Sequence, residues 1–271
     1  MLRTFYQLSV SFVLVMCLSA CSLPVLEGQP SNTQVVDVCN TTLSSAEKNS
    51  DNSQTLPFAF MQAIVAQNAT SQWLNTATTC PQFYNTAVIR AAQSMYTQKI
   101  LADKLGVTPA FSPIFRLDNV KALSLDDLNA QHIMLATDRA GFALEVIAGK
   151  KTDLSLLSLS DNLRTVSNQV LTITQLSKDP RQKIYDANTI MNNVDSMIDP
   201  STHLLAPTVS IIEINCVRES LASINFSKNA FAKNSLDQNT GMKQLALLLA
   251  SYMYDAFTRG YPSGDFALLH Q

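Results

Sequence analysis

The side chains best placed to do chemistry in this chain are two cationic residues on one apolar stripe. His132 and Arg139 stand seven residues apart in "LNAQHIMLATDRAGF". At 100° and 1.5 Å per residue, a helix brings them within about 20° of one another and sets them roughly 10 Å apart. Leu128, Leu135 and Phe142 share their arc. Burying an unpaired guanidinium is prohibitive, so Arg139 must meet a carboxylate, reach water at the edge of the fold, or face a cavity holding an anionic ligand. The first two outcomes give a structural ion pair or a snorkelled stem. The third makes His132 and Arg139 a ligand-binding pair. His132 alone fits a hydrogen-bonded core histidine. On the same segment Asp127, Asp138 and Glu145 line up around Gly141, either as a solvated helix face or as a cation- or partner-binding ridge.

Other chemistry lacks the spacing it needs. The three histidines, His132, His203 and His270, form no His-x-x-x-His pair, and neither Cys-x-x-Cys nor Glu-x-x-His occurs, so zinc and di-iron readings have no ligand set. A nucleophile elbow, a P-loop and a dinucleotide-binding glycine pattern are also missing. No catalytic residue, metal or cofactor is expected on this basis.

The N-terminus carries an address. Leu8 to Ala20 is uncharged, follows Arg3, and is shorter than the about 20 apolar residues a membrane-spanning helix needs. It reads as a secretory signal. It ends in Leu18-Ser19-Ala20-Cys21, which resembles the lipobox of bacterial lipoproteins: an apolar residue, two small ones that lie extended in a peptidase groove, and the cysteine whose thiolate accepts the lipid. The resemblance implies cleavage before Cys21 and acylation of Cys21. It also implies export and attachment to the cell membrane or an outer membrane, facing an extracytoplasmic compartment. An ordinary signal peptide with a cysteine near its cleavage site is the alternative.

A formal net charge of −2, without a basic patch, argues against a nucleic-acid partner. Seven glycines in 271 residues, and no Asn-Gly or Asp-Gly, argue against a β-rich chain. Of the cysteines that survive cleavage, Cys39, Cys80 and Cys216 permit three single pairings in an oxidising compartment. Cys39 with Cys80 is expected, because both lie among polar, loop-like residues ("VCNTT", "TTCPQ"), whereas Cys216 sits in "SIIEINCV" as a buried thiol.

The elements that must position these residues follow from hydrophobic spacing. Residues 1–20 form the signal peptide and 21–55 a polar tether that holds the rest clear of the lipid surface. A helical bundle spans 56–260, and 261–271 is a tail. Stripes at spacings of three and four predict helices over 57–78, 84–105 with Gly106 as a left-handed cap, and 124–149. Others are predicted from 156 to about 178, over 180–198 opened by Asp179-Pro180, and from 242 to just before Gly260. Ile211 to Ile224 is crowded with β-branched residues yet keeps helical spacing, and is read as helix. Such helices cover one another only by lying nearly side by side, so the fold is all-α: a single bundle of about six or seven helices, mostly antiparallel. The functional expectation is a lipid-anchored, non-catalytic interaction or binding module with an envelope-protein or cell-wall partner. The alternatives are an anion receptor with a cavity near Arg139, or an enzyme of unrecognised type.

Overall fold

The computed structural model describes residues 37–224 and 236–269. The signal, the lipobox with Cys21, the first part of the tether, most of the polar linker after Ile224, and His270 therefore lie outside the described residues. Among those described, seven long α-helices carry the fold: α1 (Val38–Thr55), α2 (Ala59–Thr79), α3 (Tyr84–Leu105), α4 (Asp127–Lys151), α5 (Leu154–Thr174), α7 (Thr208–Ser223) and α8 (Leu236–Thr258). Two short helices, α6 (Asn188–Asn192) and α9 (Asp265–Leu269), and an antiparallel hairpin of β1 (Ser196–Ile198) with β2 (Leu205–Pro207) complete it. The fold is all-α, as the periodicity predicts.

Short links make α1, α2 and α3 successive antiparallel neighbours and fold α4 back on α5. The two groups are joined through α8, which packs on α2 and α3, and α7, which packs on both α8 and α4. Its enclosed position explains the composition of α7. Ile211, Ile212, Ile214, Cys216 and Val217 are all buried, and a helix that is apolar all round is one surrounded by protein. The β-branched crowding marks burial here, and the backbone is helical.

Several predicted stripes are the buried ones. Leu156, Leu159, Leu163, Val166 and Val170 of α5, and Met242, Leu245, Leu249, Tyr252 and Ala256 of α8, all face the core. Gly106 ends α3 with φ 68. Cys39 and Cys80 are bridged, with Cα atoms 5.1 Å apart, and Cys216 is a free buried thiol.

Three expectations are corrected. The polar segment read as tether is helical from Val38 onward. Asp37 caps α1 by accepting from the backbone N–H groups of Cys39 and Asn40 at 3.0 and 3.3 Å. Only Ala46 and Ser53 of α1 are fully buried, so it has almost no apolar stripe to read. It is held on α2 by the disulfide and by polar contacts, Trp73 Nε1 donating to Ser50 Oγ at 2.7 Å and Asn49 Nδ2 to Gln72 Oε1 at 2.6 Å.

The helix expected over 180–198 is replaced by an extended strap, α6 and β1. Asp179 does not cap a helix but accepts from the backbone N–H of Arg181 at 3.0 Å and from its guanidinium at 2.6 Å. Tyr185 then crosses α4, its ring edge-on to Phe142 at 5.6 Å and its hydroxyl donating to Asp138 at 2.8 Å. Asn192, Asn193, Asp195 and Ser196 are poor helix formers. "DPST", just past the end of the helix expected over 180–198, turns the hairpin, with His203 at φ 57. The predicted tail also packs into the core: Tyr261, Ala267 and Leu268 are buried.

Small residues set the helix contacts. A Cβ added to Gly141 of α4 would stand 2.8 Å from Arg164 Cγ and 3.1 Å from the Ser160 carbonyl of α5. Gly141 therefore lets α4 and α5 approach closely, and Ser160 Oγ donates to the Gly141 carbonyl at 2.7 Å across the contact.

Candidate functional site

The bulk of α4 turns away from the stripe that carries His132 and Arg139. Its buried residues are Asn129, Ala130, Ile133, Met134, Ala136, Thr137, Ala140, Gly141, Ala143, Leu144, Ile147 and Ala148, an arc whose centre lies roughly 150° from the predicted one at 100° per residue. Leu128 is 60 % exposed, His132 is exposed, and Arg139 lies at the rim of the helix rather than in the core. Arg139 meets a carboxylate, that of Glu219 on α7, and both side chains are about half in solvent, at 46 and 49 %.

Behind that ion pair a cavity opens. Ala136, Ala140 and Ala143 of α4 face Ile211, Ile212 and Cys216 of α7, and these three alanines are too short to fill the gap. Ile190 of α6 and Met197 and Pro200 of the hairpin line its far side, while Asn215, Arg139 and Glu219 supply its polar edge. The cleft volume is about 160 Å³ and one side is open to solvent; it has room for a group of about benzene size without being a sealed, dry cavity. Of the two residues proposed to bind a ligand, the cavity is lined by Arg139 and not by His132.

The chemistry available there is binding. Cys216 is in the wall, but burial, reinforced by the nearby Glu219 and Glu213 carboxylates, pushes its thiol far above the usual cysteine range. A thiol that stays protonated is a poor nucleophile. The acidic ridge is largely taken up by structural partners: Asp138 accepts from Tyr185 at 2.8 Å and Glu145 pairs with Arg164 at 2.6 Å.

A buried polar lock holds the cavity's hairpin wall against α7. Asp199, fully buried in the hairpin turn, accepts from Arg218 Nη1 at 2.6 Å, Tyr261 Oη at 2.5 Å and the Ser201 N–H at 2.9 Å. Arg218 also donates to the Ala267 carbonyl and to Tyr261 Oη, both at 2.7 Å, and lies over the Tyr261 ring at 5.5 Å. Burial pushes the Asp199 carboxyl up, yet the hydrogen bonds from Arg218, Tyr261 and Ser201 hold it below the usual range. Sequence reading missed this triad because its members are 19 and 43 residues apart. An arginine inside the apolar run "IIEINCVRESL" was the available signal.

Three wider clefts lie elsewhere: one of about 260 Å³ beside Arg218, Leu221 and Met253, and two of about 400 and 430 Å³ that share Ser50, Gln54, Arg90 and Asp265 between α1, α3 and the C-terminal segment. In the two largest, the central charges bind one another, as Arg139 and Glu219 do, with Arg90 to Asp265 at 2.7 and 2.9 Å. A ligand there exchanges water contacts for protein contacts with little net gain, whereas the α4–α7 cavity offers apolar wall to be removed from water. Ser45 to Lys48 on α1 also spells Ser-x-x-Lys, a pattern of serine nucleophile and lysine base that sequence reading overlooked. Lys48 is exposed and these residues line no cavity with Arg139.

Among the described residues no group of three or more His, Cys, Asp or Glu side chains is placed to hold a metal ion. No helix among them is long and apolar enough to cross a membrane. The chain matches no protein-family model, no curated protein and no solved structure.

Proposed function

We propose that this chain is an exported, lipid-anchored cell-envelope protein, attached to its membrane through Cys21, whose helical domain is a non-catalytic binding module. It takes a small ligand by an apolar group of about benzene size in the cavity between α4 and α7. One observation carries the reading: an alanine-walled cleft beside a half-exposed Arg139–Glu219 ion pair, bounded on one side by the hairpin. Filling such a space with ligand removes apolar surface from water at about 25 cal/mol per Å². The anchor is supported by the lipobox-like residues Leu18 to Cys21.

Two measurements test it. Benzene and short-chain carboxylates should raise the melting temperature of the full chain, and Ala140→Leu, which fills the cavity, should remove the shift while leaving the far-ultraviolet spectrum helical. No shift with any apolar probe would end the binding reading. Separately, Cys21→Ser should move the protein from the membrane fraction to the soluble envelope fraction. An unlipidated mature N-terminus at another residue, found by mass spectrometry, would end the anchor reading.

A further inference from the structure

We infer that the ligand of the α4–α7 cavity is a zwitterion with an apolar side group, of the class of a free apolar α-amino acid. The inference rests on that cavity being the binding site. It begins from the fact that the rim presents charge of both signs in one pair: Arg139 from α4 and Glu219 from α7, each about half exposed and joined to the other.

A ligand bearing only a carboxylate must take Arg139 from Glu219. It then leaves Glu219 without a partner beside a second negative charge, and like charges at such range repel. A ligand bearing only an ammonium meets the mirror problem at Arg139. A zwitterion inserts into the pair instead, its carboxylate on the planar guanidinium and its ammonium on the Glu219 carboxylate, so that every charge keeps an opposite neighbour. Net charge at the rim is zero before and after. The half exposure of both side chains leaves them free to swing apart without stranding a buried charge.

The apolar part is set by volume and lining. About 160 Å³ walled by Ala136, Ala140, Ala143 and Ile211 accepts a six-carbon ring or a branched chain of similar bulk, as on phenylalanine or leucine. Apart from Asn215, the polar groups of the site are the two at its rim. A polar side group would therefore enter without enough partners, at a cost an apolar one does not meet.

The test is calorimetric titration of the full chain, held in lipid nanodiscs, with four probes: L-phenylalanine, hexanoate, hexylamine and benzene. The amino acid should bind at least about tenfold more tightly than the singly charged probes, the scale of one hydrogen bond to a charged group. Arg139→Gln and Glu219→Gln should each lose that advantage while the melting temperature stays near wild type, because the pair is half in water. Ala140→Leu should abolish binding of all four. If hexanoate binds as tightly as phenylalanine, or if neither glutamine variant weakens the amino acid, the zwitterion assignment is overturned while the cavity remains the binding site. If none of the four binds, the cavity reading falls as well.

Discussion

Replacing Asp199 with asparagine should destabilise the protein more than any other isosteric change in the cavity's surroundings. The side chain has no solvent exposure, and its Oδ2 receives Arg218 Nη1 at 2.6 Å and Tyr261 Oη at 2.5 Å. Asparagine keeps the shape but removes the charge, leaving a guanidinium that is 8 % exposed without its counter-ion. Breaking a buried pair from one side costs about 3 to 5 kcal/mol. Arg218 retains the Ala267 carbonyl and Asn215 Oδ1 as acceptors, at 2.7 and 2.9 Å, which places the expected loss near the lower end, about 3 kcal/mol. Urea unfolding at neutral pH measures it. Arg218→Met in the Asp199→Asn background should recover a large part of the loss, because the two changes remove one interaction, and a double-mutant cycle should return a coupling of at least about 1.5 kcal/mol. Met197 and Pro200 of the same hairpin line the cavity, so the single variant should also weaken probe binding. A loss below about 1 kcal/mol, or additive single and double changes, would refute the lock.

Glu213 gives a prediction with the opposite pH sign to most carboxylates. It is fully buried and neither oxygen accepts a hydrogen bond; burial, with the Asp255 charge beside it, raises its pKa well above 4.5, although Arg259 Nε at 3.4 Å acts against the shift. From pH 4.5 upward the unfolded chain has released a proton that the folded chain still holds, so stability falls by about 1.4 kcal/mol per pH unit until the folded pKa is passed. Glu213→Gln should flatten that slope in urea titrations taken upward from pH 4.5, and an unchanged slope would show that the carboxyl is ionised when folded. In Gly241→Ala the new Cβ would meet the Ala122 carbonyl oxygen at 1.9 Å. The about 1 kcal/mol of helix propensity gained is smaller than an overpacking cost of about 1 to 3 kcal/mol, and the melting temperature should drop. Replacing Cys39 and Cys80 with alanine opens a loop with a sequence separation of 41, which should cost about 4 kcal/mol on chain entropy, and protease should then cut first within α1.

What was legible in the sequence tracks how each helix is stabilised. The α5 and α8 stripes are bulky and one-sided, Leu163 and Val166 in one and Leu245 and Leu249 in the other, so hydrophobic spacing locates both the helix and its buried face. In α4 the spacing locates the helix but not the face. Leu128 points outward while Ile133, Met134, Leu144 and Ile147 point inward together with Ala130, Ala140 and Gly141, so apolar residues occupy both arcs and three-four spacing fits either. α1 was missed altogether, since a cap at Asp37, one disulfide and two long polar contacts leave no periodic trace.

The same physics explains why the candidate site was half visible. Arg139 announced itself as a charge needing a partner, and it has one in Glu219, but the space behind the pair is made by what the alanines of α4 lack. An absence of side-chain volume is visible only once α7 and the hairpin are placed opposite it. The Arg218 lock is also what puts them there. Asp199 drawn onto Arg218 fixes the hairpin turn beside the alanines of α4, alongside the Lys151–Asp195 ion pair and the Thr208 N–H donating to the Asp195 carbonyl. Ligand affinity at the Arg139 rim and stability at the Asp199 lock should therefore fall together when the lock is broken, whereas Arg139→Gln should lower affinity alone.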